Sequence, residues 1–200
     1  MSDHDHHDHE GHDHDHDDHD GPDPQAEAEQ RARKQLALSQ VRQYGDPVLR
    51  MRANEVEAFD EELEALSGRM IDLMHDADGV GLAATQVGIL RRLFVFHDEG
   101  ADFAVVNPVL VTAGGESEVD EEGCLSLGPV RVPVERPVEA TVEGFDVHGE
   151  PLRLELVGLS ARVMQHELDH LDGRLTIDRT DPESRRAAMG RLRPRLVLSR

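Results

Sequence analysis

The sequence predicts an α+β domain, with short mixed or antiparallel β-sheets packed around a central helix and preceded by a disordered N-terminal tail. Three observations carry this reading. Apolar residues recur at helical spacing over 60–75 and again over 160–171. Short β-rich runs lie between those stretches. The runs do not alternate regularly with helices, which favours α+β over a parallel α/β sheet.

The elements follow in order. Residues 1–24 are a low-complexity His/Asp segment that cannot bury enough apolar surface to fold. Residues 25–40 have helix-forming composition and lead into the domain, which spans 41–182. Gly45, Asp46 and Pro47 break the chain into a turn. In the first long helix Leu63, Leu66, Met70, Leu73 and Met74 share a face, with Asp60 as its N-cap and Asp78-Gly79 as its end. Strands are expected at Leu93–Phe96, Phe103–Val106, Val109–Thr112, Ala140–Phe145 and Leu152–Leu156. His148-Gly149-Glu150 is the turn of a hairpin joining the last two. A helix from Ser160 to Leu171 is stopped by Gly173, and a basic helix or tail occupies 183–200.

Composition narrows the function classes. The His/Asp segment carries −10 of the formal net charge of −21, leaving 32 acidic against 21 basic side chains in the rest. The single cysteine cannot form an internal disulfide, so nothing points to an oxidising compartment. The acidic N-terminus has no apolar core of a secretory signal. No apolar run approaches the ~18 residues that span a bilayer. The expectation is a cytoplasmic protein without a membrane partner.

Three segments carry chemistry. In His166-Glu167-Leu168-Asp169-His170 the two histidines stand at i and i+4, on one helix face, where both imidazoles reach one metal ion. Glu167 beside them is placed to exchange protons with a metal-bound water, the H-E-x-x-H arrangement. The same pentapeptide also occurs as a solvated helix face. Glu122-Gly123-Cys124-Leu125-Ser126 supplies the only cysteine, which alone reads equally as a buried apolar filler. Gly79-Val80-Gly81-Leu82-Ala83-Ala84-Thr85-Gln86 combines small residues with one amide donor, and alone reads as a loop.

Taken together and in this order, GVGLAATQ, EGCLS and QHELDH resemble the motifs of the peptide deformylase family, and RQYGDPVLR and HLDGRLTIDR extend the likeness over about 41–181. The resemblance implies a metal-dependent hydrolase that removes the formyl group from N-terminal formylmethionine of newly made polypeptides. It implies Cys124, His166 and His170 as metal ligands and Glu167 as general base, then acid. It assigns oxyanion stabilisation to the metal, the Gln86 amide and the Leu125 backbone N–H. Gly79 and Gly81 would pair with the extended substrate, and Arg131 would lie near its backbone. Val80, Leu159 and Val163 would line the methionine pocket, with core packing as the alternative. A thiolate and two imidazoles suit Fe2+, Zn2+, Ni2+ or Co2+, and the family implies Fe2+ in the cell.

The ends depart from that pattern. The His/Asp segment is either a solubilising tail or a collector of extra metal ions. Arg185, Arg186, Arg191, Arg193, Arg195 and Arg200 make the C-terminus basic. Docking on ribosomal RNA, self-association with the acidic tail and a solvated helix face all accommodate it. His75, His97 and His148 are expected to play no part in metal binding.

Overall fold

The computed structural model describes residues 24–192. The expectations for the His/Asp tail and for 193–200 fall outside them. Four helices and five strands succeed one another as α1 (Pro24–Gln40), α2 (Glu61–Asp76), β1 (Gly81–Ala83), β2 (Leu93–Asp98), β3 (Ala101–Gly123), β4 (Arg131–Phe145), β5 (Pro151–Val157), α3 (Leu159–Leu171) and α4 (Pro182–Leu192). Short 3-10 turns join them. No helix among the described residues is long and apolar enough to cross a membrane.

The α+β class holds, and the strands form one antiparallel meander in the order β1-β2-β3-β4-β5. The single parallel pairing among the described residues is an isolated bridge between Asn54 and Arg91. In β2 the run Leu93-Phe94-Val95-Phe96 is apolar throughout because both faces of the strand are covered. Phe94 and Phe96 point to α3, packing with Ala161, Met164, Leu168 and Leu171. Leu93 and Val95 point to α2, packing with Leu63, Leu66, Met70 and Met74. A third cluster of Leu49, Cys124, Leu127, Val132, Leu175, Ile177 and Ala188 closes the end of the sheet near α4.

Local chemistry sets the boundaries. The Asp60 carboxylate accepts from the Leu63 amide at 3.0 Å, and Glu61, Glu62 and Glu64 fill the positive first turn of α2. The hairpin at His148-Gly149-Glu150 forms as expected, joining β4 to β5.

The structure corrects four strand boundaries, and β4 begins at Arg131 rather than Ala140 because its first half pairs with the far end of β3. Phe103–Val106 and Val109–Thr112 are parts of one strand, β3, interrupted by a register shift between Val106 and Val109. Asn107 takes a left-handed φ of 50° there, and its amide bonds both N–H and C=O of Val56, at 2.8 and 2.9 Å. β3 also continues to Gly123 through Gly114, Gly115 and an acidic stretch with no strand pattern, held by its ladder to β4. Gly81–Ala83, whose small residues read as loop, form β1, a three-residue strand at the sheet edge.

Gly173 ends the metal-motif helix with φ +72°, and a Cβ there would lie 2.6 Å from the Arg50 carbonyl oxygen. Gly173→Ala adds that collision to the left-handed penalty of about 1–2 kcal/mol. Its urea unfolding should show a stability loss above about 2 kcal/mol, and a loss of a few tenths would contradict the tight contact.

Candidate metal centre

α3 presents His166 and His170 on one face, one turn apart, and their Nε2 atoms approach to 3.2 Å. Cys124 lies between the end of β3 and the turn Leu125–Leu127, with its Sγ 3.2 Å from His170 Nε2. One ligand atom from each of the three lies within 4.8 Å of the others. One thiol and two imidazoles converging at that spacing match the donor set and openness of a catalytic site for a divalent metal. Hence the sequence-expected ligands come together.

His166 is oriented from behind. Its Nδ1 lies 3.1 Å from Glu122 Oε2, and donation to that carboxylate leaves the Nε2 lone pair facing the shared centre. Burial lowers the affinity of His166 for a proton, but hydrogen bonds to Cys124 and Glu122 outweigh it and hold the pKa well above the ordinary value. For His170 burial pulls the same way as the charges of His166 and Arg136, so its pKa falls well below 6.5. Because ligation needs neutral imidazoles, metal uptake expels protons from this cluster.

Glu122 itself is buried and saturated. Arg136 grips it through Nε at 2.6 Å and Nη2 at 3.0 Å, and Arg162 Nη1 adds a bond of 2.9 Å. The other arm of Arg136 reaches Asp169 Oδ2 at 3.0 Å, and Arg179 closes on the same carboxylate. Burial would raise the Glu122 pKa, yet the His166 and Arg136 hydrogen bonds and the Arg136 charge lower it from 4.5 to about 2. Sequence reasoning placed Glu122 in a motif without a role, and missed Arg136, Arg162 and Asp169. A lone arginine in a strand reads as solvent-facing, and only the three-dimensional pairing reveals it.

Glu167 has the opposite environment. Its Oε2 is buried without a hydrogen-bond partner, and burial pushes the carboxyl up to about 7. Gly81 makes room for it: a Cβ there would stand 2.5 Å from Glu167 Oε1. The Gln86 amide is fixed by its own oxygen, which accepts from the Ala83 N–H at 2.8 Å. The amide nitrogen therefore faces Cys124 Sγ at 3.7 Å and Ser126 Oγ at 3.3 Å. The chain before α2 ties these pieces together. Arg42 N donates to Gln86 O (2.7 Å), Tyr44 N to Ser126 O (2.8 Å) and the Gln43 amide to Leu125 O (3.1 Å).

A cleft of about 700 Å³ opens over the centre. Gly79, Val80, Gly81, Gln86, Cys124, Leu125, Arg131, Leu159, Val163, His166 and Glu167 all line it, so the structure gathers the expected site residues, with His170 buried just beneath. Val80 and Leu159 are 50 and 67 % exposed, which removes core packing as the reason for them. Val163 does both, lining the cleft and joining the core under β2. Lys34 and Leu38 of α1 complete the wall, a contribution the leading-helix reading did not foresee.

Comparison with known proteins agrees with this geometry. The sequence model of the polypeptide deformylase family matches residues 38–186. The chain is 48 % identical over 162 residues to peptide deformylase 1 of Corynebacterium efficiens, covering 79 % of this chain and 96 % of that protein. The crystal structure of peptide deformylase from Thermotoga maritima is similar at a TM-score of 0.69 and 48 % identity, covering 71 and 97 % of the two chains. A Synechococcus elongatus peptide deformylase in complex with actinonin gives a TM-score of 0.73 at 40 % identity, covering 76 and 84 %.

Glu122→Gln keeps the shape but removes the charge that orients His166, and should weaken metal affinity about 10–100-fold, measured by competition with a chromophoric chelator. The carboxyl is depressed in the folded protein, so its stabilising share is present above pH 4.5 and lost as pH falls toward 2. The Gln variant should lack that part of the acid limb. Unaltered affinity would show that His166 does not depend on this contact.

Proposed function

The chain belongs to the peptide deformylase family, a metal-dependent hydrolase that removes the N-terminal formyl group from newly made polypeptides, and from that premise we propose the role of each residue. The observation that supports these roles best is the Glu167 carboxylate, whose buried Oε2 has no protein partner, beside the convergent Cys124, His166 and His170.

Cys124, His166 and His170 hold one divalent metal ion, with Fe2+ as the cellular occupant and Zn2+, Ni2+ or Co2+ as possible substitutes on the same borderline donor set. When bound, the metal supplies Lewis acidity that brings the pKa of water from about 15.7 toward about 7. Glu167 accepts a proton from the attacking water through Oε2 and returns it to the departing amine, and a carboxyl near 7 suits both transfers. The C–N bond of the formamide breaks, formate leaves, and the peptide keeps a free N-terminal amine. The Gln86 amide N–H and the Leu125 backbone N–H donate to the oxygen that gains negative charge. Gly79 and Gly81 offer main-chain groups along the edge at β1, where the substrate adds as a further strand. Val80, Leu159 and Val163 receive the methionine side chain, and Arg131 lies near the substrate backbone.

We place the protein in the cytoplasm, acting on chains as they emerge during synthesis, with 41–182 as the catalytic domain. Arg185, Arg186 and Arg191 of α4 are exposed, Arg185 also pairing with Asp178 at 3.3 Å, and this basic surface supports docking on ribosomal RNA. The His/Asp-rich segment is proposed to bind extra metal ions, since His-rich tracts do so.

Formate release from a formyl-Met peptide tests the catalytic roles. Metal-loaded wild type should release formate rapidly and Glu167→Ala should not. Gln86→Leu should lower kcat by about 10²–10³, the effect of one lost oxyanion donor, while the protein stays folded with a thermal midpoint lowered by the lost bond to the Ala83 N–H. Near-wild-type kcat in either variant would overturn that residue's role. For the C-terminus, salt-sensitive co-sedimentation with ribosomes is expected, and the double variant Arg186→Glu, Arg191→Glu should abolish it. Binding that survives this reversal would count against α4 as the docking element.

A further inference from the structure

Away from the cleft, three side chains that the sequence keeps apart meet at the surface. His75 stands in the last turn of α2, His97 lies on β2, and Asp102 lies on β3 directly opposite His97 in the hairpin register. Asp102 Oδ1 is 2.8 Å from His75 Nε2 and 2.8 Å from His97 Nδ1. The two imidazoles pack edge to face, their centroids 5.3 Å apart at 76°. The side chains of His75, His97 and Asp102 are 44, 39 and 31 % exposed, so ions in solution reach them. Their backbones are anchored next to Met74 and Phe96, both fully buried, which holds the arrangement in place.

We propose that His75, His97 and Asp102 form a second, surface site for a divalent transition-metal ion such as Zn2+. One ligand atom from each lies within 4.8 Å of the others. Two imidazole nitrogens and one carboxylate oxygen are a borderline donor set that favours Zn2+, Ni2+ or Co2+ over Mg2+ or Ca2+. Slight burial raises the Asp102 pKa, but hydrogen bonds from both histidines lower it overall, so the carboxylate is ionised and ready to ligate. On binding, each ring gives up the near-nitrogen proton that it donates to Asp102, a neutral ring taking one up from water on its far nitrogen, Nδ1 of His75 or Nε2 of His97, and the freed near lone pair goes to the ion. Water fills the remaining positions.

The location gives such an ion a consequence. From His75 the chain runs through Asp76, Ala77 and Asp78 to Gly79 and Val80, which line the cleft. The Val80 carbonyl accepts from the His97 amide at 3.0 Å. An ion joining His75 to His97 therefore ties together the two ends of the segment that carries the cleft wall. This site shares no ligand with the catalytic centre, and the proposal does not rest on the roles assigned there.

The test must separate this site from the eight histidines among the first 24 residues, so it is read residue by residue. Full-length protein with its catalytic centre loaded is titrated with Zn2+ alone, and the imidazole NMR resonances of His75 and His97 are followed. Both should shift with one common midpoint. In His97→Ala, and separately in Asp102→Asn, the His75 midpoint should rise at least about tenfold, since loss of even an outer partner costs that much. Basal deformylation without added Zn2+ should be unchanged in both variants, which also reports that they fold. An unchanged His75 midpoint in the folded variants would mean single-histidine binding and would overturn the site. No shift of either ring up to millimolar Zn2+ would reduce the cluster to a carboxylate held by two imidazoles.

Discussion

The helix that carries both histidines depends on one buried ion cluster. Glu122, at the end of β3, accepts from Arg136 on β4 and from Arg162 and His166 on α3, while Arg136 also holds Asp169 on α3. Glu122, Arg136 and Asp169 are each less than a tenth exposed. Removing one partner from such a cluster strands a buried charge, at a cost of about 3–5 kcal/mol, whereas well-packed apolar replacements would be close to neutral or stabilising. Stability alone therefore does not account for the cluster. Its distinct contribution is angular: it ties the helix that carries both histidines to the strand that ends at Cys124. A metal site assembled from two elements remote in sequence needs that alignment within fractions of an ångström.

The same constraint explains the composition of α3. Ten of its 13 residues are buried, yet the helix includes Arg162, Gln165, Glu167, Asp169 and His170 among them. An all-round buried helix is normally apolar. Here almost every polar side chain has a dedicated neighbour. Gln165 donates to Pro137 O at 3.0 Å, Arg162 to Val134 O at 2.9 Å, and Asp169 meets two arginines. Glu167 Oε2 and His170 Nδ1 are the exceptions, and an unsatisfied buried carboxylate oxygen is costly. The carboxylate's share of that cost falls on the group whose proposed work requires a pKa near neutrality. Gly81 sustains it, because any side chain there would occupy the carboxylate's place.

The sequence made the ligands legible because their chemistry is local. An i, i+4 pair with an intervening glutamate and a cysteine between Gly123 and Leu125 are visible without a fold. α2, α3 and the β4–β5 hairpin were legible for the same reason, through periodicity, capping and turn residues. What escaped was set by long-range pairing. β3 runs on through Gly114 and Gly115 because β4 offers a ladder, not because its own residues favour a strand. β1 is too short for any alternation to appear. Arg136 sits in a strand of mixed polarity, and its burial follows only from the carboxylates that the fold brings to it. His75 and His97 stand 22 positions apart in the sequence, and the pairing of β1 with β2 directly after α2 closes that distance.

β1 also sets how the proposed substrate can be held. A long exposed sheet edge invites uncontrolled pairing with other chains. This edge is three residues long, Gly81–Ala83, and the cavity begins at the adjoining Gly79 and Val80. Main-chain pairing along so short an edge can grip only the first few residues of a partner, and it reads backbone rather than side chains. An enzyme that must process many different new polypeptides needs that tolerance beyond the first residue. Discrimination then falls, in the proposed roles, to Val80, Leu159 and Val163 on the cleft wall. The edge must stay open for substrate and short for solubility, and a strand bounded by Gly81 on one side and the turn carrying Gln86 on the other satisfies both demands.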